Sequence, residues 1–100
     1  MGFSFRLTRD AQKDLTAIRR YTVETWGQEQ SRKYLEGMRD TIKLLVEFPS
    51  QGLDRPDVGD GVVSFPYGSH MLYYRQEKKP LVVFAVLHQR MEPEGHPKGR

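Results

Sequence analysis

The sequence contains no cysteine and no long apolar run. Without cysteine, disulfide bonds and thiolate metal sites are excluded, and the absence is typical of proteins in a reducing cytoplasm. No stretch approaches the roughly 20 apolar residues that cross a bilayer, and residues 1–10 lack the apolar core of a signal peptide. We therefore expect a cytoplasmic protein that does not enter a membrane.

The motifs of the common enzyme classes are also missing. The chain has no glycine-rich phosphate loop, no serine nucleophile elbow and no pair of carboxylates placed for acid–base chemistry. His70 and His96 have no neighbours at the spacing of metal ligands. We expect neither a metal nor another cofactor.

Charge and composition describe an ordinary folded chain. The net charge is only +3, with no basic block, so sequence-specific nucleic-acid binding is not expected. The chain has 100 residues, which is enough for one domain, and 37% of them are hydrophobic, which is ordinary for a folded protein. We expect that domain to span residues 1–91, followed by a flexible tail over 92–100 that is rich in proline and glycine.

The apolar periodicity predicts a strand followed by two amphipathic helices. Phe3, Phe5 and Leu7 alternate with polar residues, as in a half-buried strand. The first helix follows Thr8 and stops at Gly27, and the second runs over about 28–48. Joined at one glycine, the helices should form an antiparallel hairpin. The predicted core stripes are Ala11, Leu15, Ile18, Thr22 and Trp26 in the first helix, and Leu35, Met38, Ile42 and Leu45 in the second.

Three strands are predicted after a loop over residues 50–61: 62–65, 70–76 and 81–87. The last strand has seven apolar residues in a row, which indicates burial on both faces and a central place in its sheet. The first strand should pair beside it. The fold class is therefore α+β, in the order β-α-α-β-β-β, with the helical hairpin on one face of a mainly antiparallel sheet and the other face partly open.

The end of this last strand carries the best candidate site, His88, Gln89 and Arg90. If Arg75 approaches the same edge, a ribonuclease site is conceivable, with a basic group from Tyr73, Tyr74 or Glu47, a guanidinium on the phosphate and His88 as the acid. Alternatively, His88 caps the strand by hydrogen bonding and the arginines are surface charges. The residues alone leave both interpretations open.

The aromatic residues also have two interpretations. Trp26 completes a helical stripe, which favours a core position, although tryptophan is also a frequent binding anchor. Of Tyr73 and Tyr74, one must face the helices, while the other should cover the open sheet face and be available to a partner.

The pattern as a whole resembles the ParE branch of the RelE/ParE toxin superfamily, from Phe3 to about Met91. The more specific parts of the resemblance are the Trp26-Gly27 junction and the ending Leu87-His88-Gln89-Arg90-Met91. The remaining matching positions are Thr8, Ala11, Asp14, Leu15, Ile18, Tyr21, Tyr34, Leu45, Pro49, Tyr73, Arg75 and Val86.

This resemblance implies the toxin of a type II toxin–antitoxin module. Such proteins are described as trapping the cleaved-DNA complex of DNA gyrase, and a ParD-like antitoxin neutralises them in a hetero-oligomer. The target-facing residues would be His88, Gln89, Arg90 and Met91. From helix faces and exposed aromatics, the antitoxin-binding candidates are Arg19, Tyr21, Tyr34, Tyr73 and Tyr74.

RelE-type relatives instead cut mRNA on the ribosome, and in that case Arg75, His88 and Arg90 would be catalytic. The chain has no lysine between Lys43 and Lys78, where those nucleases carry theirs, and its ending follows ParE better. We therefore favour a stoichiometric gyrase inhibitor over an enzyme.

Overall fold

The computed structural model describes residues 5–75 and 80–89. The elements are β1 (Phe5–Leu7), α1 (Arg9–Trp26), α2 (Gln28–Glu47), a 3-10 turn (Pro49–Gln51), β2 (Leu53–Asp54), β3 (Val62–Tyr67), β4 (His70–Arg75) and β5 (Leu81–His88). The five strands form one sheet in the order β1-β5-β4-β3-β2. Every neighbouring pair is antiparallel except β1–β5, which is parallel. The predicted α+β class, and the place of the first strand beside the last, are confirmed.

The connections differ from the prediction in two places. The region expected to be loop contains the 3-10 turn and β2, a two-residue strand too short to show an apolar alternation. Pro66 belongs to β3, so the β3–β4 turn consists of Gly68 and Ser69 alone. Gly68 has a φ of 54°, which a tight hairpin turn requires. Gln76 and the predicted tail lie outside the described residues. Within the described residues, no helix is long and apolar enough to cross a membrane.

The two helices are joined through a glycine and a buried pair of hydroxyls. Thr8 caps α1, because its Oγ1 accepts a hydrogen bond from the Ala11 N–H at 3.1 Å. Gly27, with a φ of 91°, separates the helices. Across the hairpin, the hydroxyls of Thr22 and Ser31 lie 2.6 Å apart, and Thr22 also donates to the Ile18 carbonyl at 2.8 Å. Both polar groups are therefore satisfied inside the helix interface.

Strand β5 is buried on both faces, as its sequence predicts, and a bulge divides its side chains between two clusters. Tyr73 pairs with Ala85 and Tyr74 with Val83, so Phe84 is the extra residue. The cluster under the helices includes Leu81, Val83 and Val86. The second cluster is made of Val58, Val62, Tyr73, Phe84, Ala85 and Leu87. The expectation of a partly open second face is wrong for these residues, all of which are buried.

The N-terminal part of α1 completes the hydrogen bonding of β5 where β1 ends. The Thr8 N–H donates to the Val83 carbonyl at 3.0 Å, and the Thr8 hydroxyl lies 3.4 Å from the Phe84 carbonyl. Six residues further on, Asp14 Oδ2 accepts from the Val86 N–H at 3.0 Å. A short first strand is sufficient because the helix supplies the partners that it lacks.

Replacing Asp14 with alanine should destabilise the fold, because the Val86 N–H would lose its acceptor at a partly buried position. We expect the free energy of unfolding to fall by about 1–3 kcal/mol, measured by urea denaturation. Asp14→Asn keeps a side-chain oxygen and is the matched control, with an expected loss of less than half that size. Equal losses in the two variants would contradict this role of the carboxylate.

Candidate functional site

The end of β5 lies beside the β3–β4 turn and under the joint of the helical hairpin. His88 is the cross-strand partner of His70, and five aromatic or imidazole rings meet there. We call this group the end cluster. Its members are Trp26, Tyr34, Tyr67, His70 and His88.

The rings of the end cluster form a continuous chain of contacts. The Tyr34 ring lies 5.4 Å from Trp26, 5.0 Å from Tyr67 and 5.7 Å from His70 between ring centroids. His70 in turn lies 5.6 Å from His88, edge to face. Such tilted and edge-on arrangements are favourable for aromatic pairs. The exposed ring of His88 is thus connected to the helical joint.

Tyr34 is the polar centre of the cluster. Its hydroxyl accepts a hydrogen bond from the Ser69 N–H at 3.1 Å and lies 2.8 Å from His70 Nδ1 and 3.3 Å from the Tyr67 carbonyl oxygen. The Tyr67 hydroxyl donates to the Tyr34 carbonyl at 2.8 Å. Helix α2 is therefore tied to both sides of the β3–β4 turn.

Burial favours the neutral forms of Tyr34, Tyr67 and His70. The pKa of His70 is lowered by burial and, secondarily, by the nearby His88. Burial raises the pKa of Tyr34, opposed by the Ser69 N–H, and burial also raises the pKa of Tyr67. At neutral pH these three residues act as hydrogen-bonding groups rather than as charges.

Gln89 ties the first residue after β5 back to the same turn. Its N–H donates to the Ser69 carbonyl at 2.9 Å. Its side-chain Nε2 donates to the Gly68 carbonyl at 2.9 Å and reaches the His70 carbonyl at 3.3 Å. His88 and Gln89 are both exposed. Arg90 and Met91, the other two predicted target-facing residues, lie outside the described residues.

Arg75 does not lie at this end of the sheet, so the prediction that it shares a site with His88 is wrong. Arg75 pairs with Val82, whereas His70 pairs with His88. Arg75 is therefore five residues along β4 from that end, roughly 17 Å. Its guanidinium lies over Phe84, 5.1 Å from the ring centroid, and donates to the Asp60 carbonyl at 3.2 Å. The sequence could not show this, because it does not reveal where along β5 each residue of β4 is paired.

Trp26 is not a core residue, contrary to the prediction. It is 43% exposed, because it is the last residue of α1 and contacts Tyr34 only from one edge. The helical periodicity does not show that the last residue of the helix is left partly uncovered. Its exposed ring lies on the same end of the molecule as the rest of the end cluster.

The expected outward tyrosine is buried as well. Tyr73 and Tyr74 do face opposite sides of the sheet, but they are only 3% and 0% exposed. The Tyr74 hydroxyl donates to the Pro49 carbonyl at 2.8 Å, and burial raises the pKa of Tyr74 to about 12. Neither ring is available at the surface of this structure. Of the other antitoxin-binding candidates, Tyr34 is half-buried, whereas Arg19 and Tyr21 are exposed.

A second candidate surface is a groove of about 390 Å³ between β1, α1 and α2. Leu15 and Leu35, expected in the core, are only half-buried and contribute to its wall. The groove also has a guanidinium from each helix, Arg19 and Arg39. Its full lining is Phe5, Leu7, Leu15, Thr16, Arg19, Leu35, Met38, Arg39 and Ile42. The only signal in the sequence is that the apolar stripes are wider than one sheet face can cover.

Fold and sites together define a class of small α+β protein, in which a helical hairpin packs on a mixed sheet and the last strand carries exposed polar groups at its end. The chain belongs to the ParE toxin family of type II toxin–antitoxin systems (parDE), whose family model matches residues 5–93. A toxin of this kind is paired with an antitoxin.

Individual relatives agree with the family match. The chain is 33% identical to Toxin ParE1 of Caulobacter vibrioides over 92 residues, covering 92% of this chain and 95% of that protein. It is 28% identical to Toxin ParE of Escherichia coli over 90 residues, covering 89% and 87%. Among solved structures, it is similar to a chain of the chromosomal ParDE system from P. aeruginosa, with 25% identity, a TM-score of 0.73, and coverage of 86% of this chain and 95% of that one.

The lowered pKa of His70 predicts a loss of stability in mild acid. Between the pKa of an unfolded histidine, about 6.5, and the lower pKa of His70, unfolding takes up a proton. The contribution of His70 to stability should be full above about pH 6.5 and should decrease as the pH falls below that value. Urea denaturation between pH 5 and 8 measures the slope.

His70→Gln should remove this part of the pH dependence. His88→Gln should make the decrease shallower, since the His70 pKa would rise towards its ordinary value once the neighbouring imidazole is gone. Identical pH profiles for the wild type and His70→Gln would show that the described environment of His70 is wrong.

Proposed function

We propose that this protein is a toxin that binds DNA gyrase and traps its cleaved-DNA complex, with His88, Gln89, Arg90 and Met91 as the target-facing surface. Membership of the ParE toxin family supports the class of activity. The observation that carries the choice of surface is the anchoring of Gln89 to three successive carbonyls of the β3–β4 hairpin. In this proposal the protein acts in the cytoplasm, acts by binding, and requires no cofactor.

The stiffness of β5 supports a role in binding. Strand β5 is buried on both faces and hydrogen-bonded along both edges, so its end has little conformational entropy to lose on binding. Pre-organisation of this kind reduces the entropic cost of association. Exposed Trp26, beside the same end of the sheet, fits the alternative role of a binding anchor.

The nuclease alternative has less support from the geometry. A ribonuclease site that uses Arg75 with His88 would need the two side chains on one phosphate, but Arg75 is at one end of β4 and His88, on β5, pairs with the other end. Tyr73 and Tyr74 are buried, and the Tyr74 hydroxyl is engaged with Pro49. Ribosome-dependent mRNA cleavage is therefore kept as an outcome of the test rather than as a second proposal.

We propose that the ParD-like antitoxin occupies the groove between β1, α1 and α2. Strand β1 is at the edge of the sheet, so its outer backbone groups can pair with an added strand. The apolar floor with Arg19 and Arg39 at its sides suits a segment that has apolar residues flanked by carboxylates. Tyr21, exposed on α1, is a further candidate contact. Antitoxin and target would then use different parts of the molecule.

The gyrase proposal is tested by incubating the purified toxin with gyrase, ATP and supercoiled plasmid, then quenching with detergent and protease. Linear plasmid should accumulate with toxin dose and disappear when the antitoxin is added. The variant with alanine at positions 88–91 should need at least about thirtyfold more toxin, as expected when a binding hot spot is lost. Its affinity for the antitoxin should stay within about threefold, because no groove residue is changed.

Two outcomes would contradict the proposal. The first is no linear plasmid although the toxin is folded and gyrase is active, and in that case mRNA cleavage in a translating extract is measured with the same sample. The second is full activity of the alanine variant, which would place the target-facing surface elsewhere.

The antitoxin site is tested with Arg39→Glu, which reverses a charge at the side of the groove. We expect the dissociation constant for the cognate antitoxin, measured by calorimetry, to rise by about 10- to 100-fold. Lys43→Glu is the matched control, since Lys43 lies one turn along α2, is exposed and is not part of the groove lining. If both variants weaken binding equally, the effect is one of net charge and the groove is not the site.

A further inference from the structure

Helix α2 contributes Tyr34 to the end of the sheet where β5 stops. Its ring is half-buried between Trp26, Tyr67 and His70. Tyr34 is one of the antitoxin-binding candidates predicted from the sequence, but its hydroxyl points into the protein and binds the β3–β4 turn.

The hydroxyl of Tyr34 is satisfied as both acceptor and donor. It accepts from the Ser69 N–H at 3.1 Å. It donates to the Tyr67 carbonyl at 3.3 Å and lies 2.8 Å from His70 Nδ1, which accepts in the tautomer of neutral His70 that carries its hydrogen on Nε2. A phenylalanine in this place would leave the Ser69 N–H and the imidazole nitrogen without this partner.

Two glycines leave the space that this arrangement needs. A Cβ atom on Gly68 would collide with the Tyr34 hydroxyl, and one on Gly37 would collide with the Tyr67 hydroxyl. Tyr67 also donates back to the Tyr34 carbonyl at 2.8 Å. The helix and the turn are therefore in close contact through two tyrosines and two glycines.

The turn held by Tyr34 is the same turn that holds Gln89. The carbonyls of Gly68, Ser69 and His70 all face donors of Gln89, at distances of 2.9, 2.9 and 3.3 Å. A continuous path thus runs from α2 through the Tyr34 hydroxyl and the turn to the first residue after β5.

We propose that Tyr34 is a positioning residue of the toxin: through the β3–β4 turn it fixes Gln89, and with it the start of the target-facing segment. This proposal rests on the proposed function for its effect on gyrase, but the mechanical connection between Tyr34 and Gln89 can be measured without any target.

The test uses Tyr34→Phe in the full-length protein, because this variant removes the hydroxyl and keeps the ring. Tyr74→Phe is the matched control, since it also removes a tyrosine hydroxyl with a 2.8 Å hydrogen bond, at the far end of β4. Comparing the two separates a specific effect on the turn from a general loss of stability.

Two quantities are measured: amide hydrogen exchange at Ser69 and Gln89, and the toxin dose that gives half-maximal plasmid linearisation by gyrase. For Tyr34→Phe we expect exchange at both amides to rise about tenfold and the required dose to rise about tenfold, the size expected from one lost buried hydrogen bond. For Tyr74→Phe, both quantities should stay within about twofold of the wild type at equal folded fraction. Adding Tyr34→Phe to Gln89→Ala should raise the dose little further, because the path is already broken.

Three results would overturn the proposal: unchanged exchange at Gln89 in Tyr34→Phe, an unchanged gyrase dose, or equal effects of Tyr34→Phe and Tyr74→Phe. If the wild-type toxin does not linearise plasmid with gyrase, the proposed function fails, and the exchange data still decide whether Tyr34 fixes Gln89.

Discussion

The burial of β5 on both of its faces is the constraint on which the rest of the structure depends. The bulge at Phe84 lets one strand supply Val83 and Val86 to the helical side, and Phe84, Ala85 and Leu87 to the other side. A strand with two covered faces must also have both edges paired. On one edge β4 does this, and on the other β1 is continued by Thr8 and Asp14 of α1.

The order of elements could be predicted because each element has its own local pattern of apolar residues. The apolar run over 81–87 indicates an internal strand, and the stripes with Gly27 between them indicate a helical hairpin. The candidate site was only partly predictable. His88 and Gln89 follow from the abrupt change at the end of that run, but the distance of Arg75 from them depends on strand pairing, which no local pattern specifies.

The burial of two aromatic residues also differs from the prediction, because burial depends on the tertiary structure. Trp26 continues the helical stripe, but it is the last residue of α1 and its ring is 43% exposed. Tyr73 and Tyr74 face opposite sides of the sheet as predicted, but Val58, from a segment expected to be loop, belongs to the same buried cluster as Tyr73. Periodicity gives the direction of a side chain, whereas burial depends on what the rest of the chain places above it.

In the proposed function, the molecule binds its target and its antitoxin on different surfaces. Its groove, with an edge strand, an apolar floor and the guanidiniums of Arg19 and Arg39, has the features of a site for an added chain segment. The end of β5, anchored by Gln89, has the features of a small and pre-organised contact surface. We interpret the toxin as a protein that acts by holding its target in one state rather than by turnover.

The most direct test of this account is the time course of plasmid linearisation at a fixed gyrase concentration, with toxin added below, at and above equivalence. We predict that the linear product reaches a plateau in time, that the plateau rises with toxin, and that it saturates once the toxin exceeds gyrase. Continued conversion of all plasmid by a small fraction of one toxin per gyrase would contradict action by stoichiometric binding.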